Sequence, residues 1–340
     1  MRGRVTIKDV AREAGVSVTT VSHSLNRPEG ARVSEETRAH VETVAATLGY
    51  RANTAARALR TQRTNTIALI GRDLATTEHL GRMVRGAQDA VRSRGGLLIV
   101  ADTGDDEDGV IATLLDHGVD GAILGAFYHQ ELHVPVGLRS MPTVLVNAFT
   151  QDPSYSWVVP DEVAGGRAAA EVLLAAGHRR LAMINNEDDI PASRGRAEGF
   201  RRRCGAAGVD PLIVQSAPSA QAACGVASAL LAAPEGQRPT AFFCFSDAMA
   251  MGLYAASAAA GLRVGRDLSV VGFDDLALIG ESLSPRLTSV ALPHAEMAGW
   301  AVDRLFDLLD HGGDEPVAAQ SLRIMGRVVE RESVGRPSTA

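Results

Sequence analysis

Cysteine is nearly absent. Cys204, Cys224 and Cys244 are odd in number, far apart and without a CxxC pair, which excludes a disulfide framework and offers no zinc-ligand spacing. They read as free, buried thiols. No run of about 18 consecutive apolar residues occurs, so no membrane-spanning helix is expected. The first residues, MRGRVTIKDV, lack the apolar middle segment of a secretory signal. The expected location is the cytoplasm, with no membrane partner.

Signatures of catalysis and of metal binding are missing as well. GESLS, around Ser282, fails the G-x-S-x-G nucleophile pattern. TGDDEDG places Gly104 where a calcium loop needs a ligand, and no Glu follows at the closing position. HQELH sets His129 and His133 four residues apart, a zinc spacing when it lies on a helix. Here it sits between a strand ending near Ala126 and Pro135, with Glu131 not adjacent to the first His. No enzyme activity, metal or cofactor is expected.

What is present is modular. A chain of 340 residues holds two or three domains at roughly 100 to 150 residues each. Its formal net charge of −6 conceals an uneven distribution: residues 1–62 carry ten Lys and Arg against six Asp and Glu, a balance of +4, and the rest carries 24 against 34. A basic end on an acidic chain is the electrostatic footprint of a nucleic-acid partner, or a solvated surface.

The basic end reads as short helices. Thr6 followed by Asp9 resembles a capping box, and Ile7, Val10, Ala11 and Ala14 then share one helical face. Gly15 suits the left-handed residue that ends this helix, and Ser17 can cap a second one that turns Val21 and Leu25 inward. A third begins at Ser34, carries Glu35 and Glu36 in its first turn, buries Val41, Val44 and Leu48, and stops at Gly49. The pattern is a helix-turn-helix with a supporting helix; an ordinary three-helix bundle fits the spacing equally. In the first case the small residues opening the second helix let it approach base edges: Val18 can meet a thymine methyl, Thr19 can donate or accept, and His23 can bond a purine N7 or a phosphate.

From position 66 onward, short apolar runs alternate with amphipathic stretches. Strands are expected at 66–70, 96–102, 120–126 and 142–148, then at 179–186, 240–247, 268–275 and 287–293, with a helix over 294–309 returning to the first set. Continuously apolar runs suit strands buried on both faces of parallel sheets, so two doubly wound lobes are implied. Ligands of such sheets bind beyond the carboxyl ends of the strands. Asn147, Ser246 and Asp274 end strands, and Ser193 and Arg196 lie in the turn IPASRGRAEGF. These groups suit sugar hydroxyls or a small polar acid, or else pair silently with one another.

Two long strings carry a family resemblance. TIKDVAREAGVSVTTVSHSLN, with RVSEETRAHVETVAATLGYRANTAARALR after it, closely resembles the headpiece of the LacI/GalR family of transcription regulators over residues 5–63. The phrases DGAILG, AAGHRRLAMI, RAEGF, SDAMAMG and SVVGFDD are similar to that family's effector-binding body, extending the resemblance to about residue 330. The implied fold is an N-terminal all-α helix-turn-helix headpiece plus an α/β periplasmic-binding-protein-like (type I) core of two doubly wound parallel-sheet lobes. The implied division is headpiece 1–52, hinge helix and linker 53–65, first lobe 66–158 and 292–320, second lobe 159–291 and 321–332, and tail 333–340.

The resemblance also implies roles. Thr6, Ser17, Val18, Thr19, Thr20, Ser22, His23 and Asn26 would meet DNA, Ser17 at phosphate and Val18, Thr19 and His23 at bases. A hinge helix capped by Asn53 would order only on DNA, paired with its twin, since a seven-residue helix falls well below the roughly 12 to 15 residues that persist alone. Leu59, with Ala56 on the same face, would wedge into the minor groove; a plain linker is the other reading. The implied partners are double-stranded operator DNA, a small effector such as a sugar bound by Asn147, Ser193, Arg196, Ser246 and Asp274, and a second or further copies in a homodimer or tetramer. Departures from the family are His23 for the usual Arg, Ala52 for Pro, Ser246 for a frequent Asn, and His79 and Leu80 near the usual aromatic pair. Phe127, Tyr128 or Trp157 could supply the missing stacking face. A competing class is a cytoplasmic sugar-binding or sugar-modifying protein whose basic head is incidental.

Overall fold

A computed structural model describes residues 5–26, 30–50, 63–72, 78–311 and 317–337, the side chains of 78–80 and Phe127 excepted. The chain divides after Thr64 into two compact units. The expected hinge contacts of Asn53, Ala56 and Leu59 lie outside the described residues.

In the first unit, α1 (Ile7–Ala14), α2 (Val18–Asn26) and α3 (Glu35–Leu48) stand where their caps place them. The Asp9 carboxylate accepts from both Thr6 N (2.9 Å) and Thr6 Oγ1 (2.7 Å), so the hydroxyl donates to Asp9 instead of capping the helix itself. Gly15 and Gly49 end α1 and α3 at φ 65° and 66°, a region glycine enters without the steric cost of a Cβ. Ser17 Oγ and Ser34 Oγ accept from Thr20 N and Thr37 N. Val10, Ala11, Ala14, Val21, Val41 and Ala45 form the small core. Leu25, Val44 and Leu48 pack at its margin, half-buried, where full burial was expected for the latter two.

The second unit contains two six-stranded sheets. The first has the order β11-β5-β4-β3-β1-β2: β1 (Thr66–Gly71), β2 (Leu97–Asp102), β3 (Gly121–Glu131), β4 (Thr143–Phe149), β5 (Ser156–Pro160) and β11 (Ser321–Ile324), all parallel. The second has the order β12-β10-β9-β8-β6-β7: β6 (Leu181–Asn186), β7 (Leu212–Ser216), β8 (Ala241–Cys244), β9 (Ser269–Asp274), β10 (Thr288–Ala291) and β12 (Val328–Val329), parallel except for β12. Burial on both faces follows from the flanking helices, as the continuous apolar runs require. In the first lobe these are α4 (Glu78–Ser93) and α5 (Glu107–Asp116). In the second they are α6 (Glu162–Ala175), α7 (Pro191–Ala206), α8 (Ala220–Leu231) and α9 (Asp247–Ala259), with the short α10 (Ala277–Gly280) after β9. The helix expected over 294–309 is α11 (His294–His311), and it buries Met297, Ala301, Val302 and Leu305 against the first sheet.

The chain thus crosses between the lobes after β5, after β10 and after β11. The last crossing corrects the expected division. Residues 321–332 were assigned to the second lobe, but Ser321–Ile324 pairs with β5 in the first sheet. The segment changes lobes only beyond Ile324, because its alternating pattern suits an exposed parallel edge.

Candidate functional site

Two surfaces hold the residues singled out by sequence. On the first unit, the N-terminal turn of α2 is open: Ser17, Val18 and Thr19 are exposed, Val18 by 41%. Thr6 and Asn26 are exposed, and Thr20, Ser22 and His23 are half-buried. Ser17 Oγ lies 2.8 Å from Thr20 Oγ1, and Asn26 Nδ2 donates to Ser22 O at 2.9 Å. These bonds fix the helix ends and leave Val18 and Thr19 projecting. Among the described residues of this unit Arg38 is a buried cation, 3.3 Å from Glu35.

In the second unit a cavity of about 180 Å³ opens between the lobes. The first lobe contributes Tyr128 and His129 from β3, Asn147 from β4 and His294 from the start of α11. The second contributes Glu162 from α6, Arg196 from α7, Ser246 as the cap of α9, and Asp274 from the end of β9. Of the five expected ligand residues, Asn147, Arg196, Ser246 and Asp274 meet here. Ser193 does not line the cavity. Its Oγ donates to Asp188 O and Ile190 O and accepts from Ile190 N, which locks the turn entering α7. Trp157 is also elsewhere, on β5 beside Phe149; Tyr128 lines the cavity, as does Phe245.

Arg196 is held on every side. Its Nε donates to Glu162 Oε2 at 2.8 Å and its Nη1 to Phe245 O at 2.6 Å, while Asp274 Oδ1 stands 3.7 Å from Nη1. The rings of Phe273 and Phe245 cover its two faces at 3.6 and 4.4 Å from their centroids. A planar guanidinium is suited to this combination of forked bonding and stacking. His129 Nδ1 lies 3.7 Å from Glu162 Oε1, an ion-pair distance too long for a hydrogen bond. Asn147 Nδ2 donates to Ala126 O at 2.9 Å from a backbone at φ 54°, and Ser246 Oγ accepts from Met249 N.

The carboxylates differ in charge state. Burial works to raise Glu162, but the adjoining Arg196 and His129 outweigh it and hold its carboxyl below the usual range. Burial pushes Asp274 up to about 7; Arg196 pulls it down and Glu162 pushes it up. Behind it, burial and then the charge of Asp274 drive Asp247 well above the carboxylate range, where Ser289 Oγ at 2.6 Å and Leu276 N at 2.7 Å bond it. One ionised acid, one guanidinium and one acid poised near neutrality therefore share the cavity. Among the described residues no cluster of His, Cys, Asp and Glu could hold a metal, and none of the helices is long and apolar enough to cross a membrane. The HQELH segment runs along the β3 strand into the following loop, so the helical zinc spacing does not arise.

Comparison with known proteins matches residues 6–53 to a family described as bacterial regulatory proteins, lacI family, and residues 170–334 to a periplasmic binding protein-like domain. The ribose operon repressor of Escherichia coli (strain K12) is 32% identical over 96% of this chain and 99% of its own. The chain belongs to the LacI family. The HTH-type transcriptional regulator DegA of Bacillus subtilis (strain 168) is 32% identical over 86% of this chain and 88% of its own. Among solved structures, the lac repressor dimer bound to operator and the anti-inducer ONPF is 26% identical and superposes with a TM-score of 0.70, over 98% of this chain and all of that one. The core of this LacI-family chain thus has the periplasmic-binding-protein-like architecture expected from its sequence.

Glu162, His129 and His294 are among the pocket residues that sequence reasoning did not nominate. Glu162 follows the cap Asp161, and an acid in a first helical turn is ordinarily read as serving the helix dipole. Its partner Arg196 is 34 residues away, so no local pattern joins them.

Proposed function

We propose that this LacI-family chain is a cytoplasmic transcriptional repressor, binding a palindromic duplex operator as a homodimer and changing its DNA affinity when a small polar effector enters the cavity between the lobes. The observation that carries the DNA-reading half is the exposed turn Ser17–Thr19 at the start of α2, free of bulky charge, on a unit whose sequence is basic. Such a turn fits the major groove, with Ser17 at phosphate and Val18, Thr19 and His23 toward bases. Thr6, Thr20, Ser22 and Asn26 would frame the contact, and Asn53, Ala56 and Leu59 would extend it into the minor groove.

The effector half rests on the Glu162–Arg196–Asp274 arrangement, which joins two carboxylates and a guanidinium around open volume. Asn147 and Ser246 complete a polar lining suited to a sugar or related metabolite, in keeping with the similarity to a ribose operon repressor. Coupling between such a pocket and DNA is reciprocal and typically about 1–3 kcal/mol.

Selecting duplexes from a random pool with the full chain, then measuring retardation of the selected and a scrambled duplex across salt concentrations, tests this directly. His23→Ala should lose discrimination at one base position by roughly 1–3 kcal/mol while nonspecific retention stays constant. Uniform weakening over all sequences would assign His23 to the phosphate backbone instead.

A further inference from the structure

We infer that Arg82 is a positioning residue that ties the first lobe to the pocket wall of the second. This rests on the reading of the cavity as the effector site. Arg82 stands on α4 of the first lobe and reaches across the cleft, where its Nη2 donates to the carbonyl oxygen of Asp275 and its Nη1 lies 3.6 Å from Asp275 Oδ2. Asp275 directly follows the cavity residue Asp274. Anything that moves one of these residues moves the other.

The segment gripped in this way is unusual. Asp274 and Asp275 have φ of 102° and 52°, two consecutive side-chain-bearing residues in the region that favours glycine. Such backbone persists only where surrounding bonds over-determine it. From the second lobe, Ser289 Oγ accepts from Asp275 N at 3.1 Å, Asp247 Oδ2 accepts from Leu276 N at 2.7 Å, and Arg331 Nη2 donates to Asp275 Oδ1 at 2.7 Å. Arg82 adds a hold from the opposite lobe, on a side chain that is 37% exposed and therefore free to release without disturbing a core.

The helix carrying it is well placed to transmit the movement. Its Gly86 approaches α11 so closely that a Cβ there would lie 2.4 Å from Ala295 O. Residue 295 is the neighbour of His294, a cavity residue. α4 is thus in contact with the pocket wall through Arg82 at one point and through α11 at another. His129, on β3, faces Glu162 of the second lobe at 3.7 Å, so the two lobes also meet at the partner of Arg196. An effector that engages Asp274 acts on the same backbone that Arg82 holds, and lobe spacing follows.

The tie is tested in the full chain without ligand or DNA, by pulsed electron resonance between nitroxides at positions 92 and 202. Arg92 and Arg202 are exposed residues on α4 and α7, one in each lobe. Cys224→Ser removes the half-buried thiol; Cys204 and Cys244 are buried, and burial raises both thiols, so they take no label. Arg82→Met should lengthen or broaden the interlobe distance by more than about 2 Å, the scale of a genuine domain rearrangement. Arg82→Lys, which retains a cation able to reach the Asp275 carbonyl, should restore the wild-type distribution. Should Arg82→Met not fold, Arg82→Gln is read in its place. A distribution superimposable on wild type, or equal opening in the Lys variant, overturns the inference. Because neither effector nor DNA is present, the tie can fail while the pocket assignment stands, and an effector response indifferent to Asp274→Ala would remove the assignment while leaving the tie.

Discussion

Asp274→Asn should stabilise the empty protein above pH 7 and abolish its response to effector. The folded carboxyl sits at about 7, raised mainly by burial, against a usual value of 3.8. A raised acid disfavours folding once the unfolded chain begins to ionise, so the loss starts near pH 4, grows as pH rises and levels off above pH 7. At about 1.36 kcal/mol per unit, the full effect is on the order of 4 kcal/mol. Asn keeps the shape, carries no charge and tolerates the left-handed backbone required at this position. Thermal melts of the two proteins should differ by only about 1 kcal/mol near pH 4.5 and diverge further by pH 8, at roughly 2–4 °C per kcal/mol for a domain of this size. Equal melting at pH 8 would mean that burial does not raise the Asp274 carboxyl.

The second large effect concerns how Arg196 is positioned. α6 and α7 approach through glycines: a Cβ on Gly199 would lie 1.9 Å from Val163 O, and one on Gly166 would lie 2.1 Å from Arg196 O. Real Cβ atoms do not come so near to backbone oxygen, so Gly199→Ala must drive the helices apart. Overpacking of this kind costs about 1–3 kcal/mol, and more when backbone has to move. The Glu162–Arg196 bond bridges the same two helices at 2.8 Å, so its geometry opens with them. Gly199→Ala should therefore lower the denaturation midpoint and weaken effector binding together. Gly225→Ala supplies the contrast: it lies inside α8 with nothing within 4 Å of its Cβ, and Ala there should add about 0.5–1 kcal/mol. If both substitutions behaved alike, the close helix contact would not be the cause.

Both predictions depend on groups that the sequence disclosed unevenly. The headpiece was legible almost to the residue, since Thr6, Gly15, Ser17, Ser34 and Gly49 mark its helix ends by local chemistry. The central strands were legible from their unbroken apolar runs. β7, β11 and β12 were not, because a short edge strand such as β11 has one half-buried face and resembles a loop; β5, inside its sheet, was missed because it is a brief run ending in proline. Strand ends correctly nominated Asn147, Ser246 and Asp274 for the cavity. Ser193 does not line that cavity, its hydroxyl being engaged within its own turn. Glu162, His129 and Arg82 were hidden because each acts on a residue in the other lobe or in another helix, at separations no local pattern records.

In the proposed function the first unit grips duplex DNA and the second adjusts the grip. The most direct measurement compares the full chain with residues 65–340 alone on the duplex selected by the full chain, across a salt series. Specific retention should vanish with the first unit, while the remaining core still melts cooperatively and still responds to its effector. If the shortened chain retained the same duplex with the same preference over a scrambled one, DNA recognition would have to be reassigned to the core.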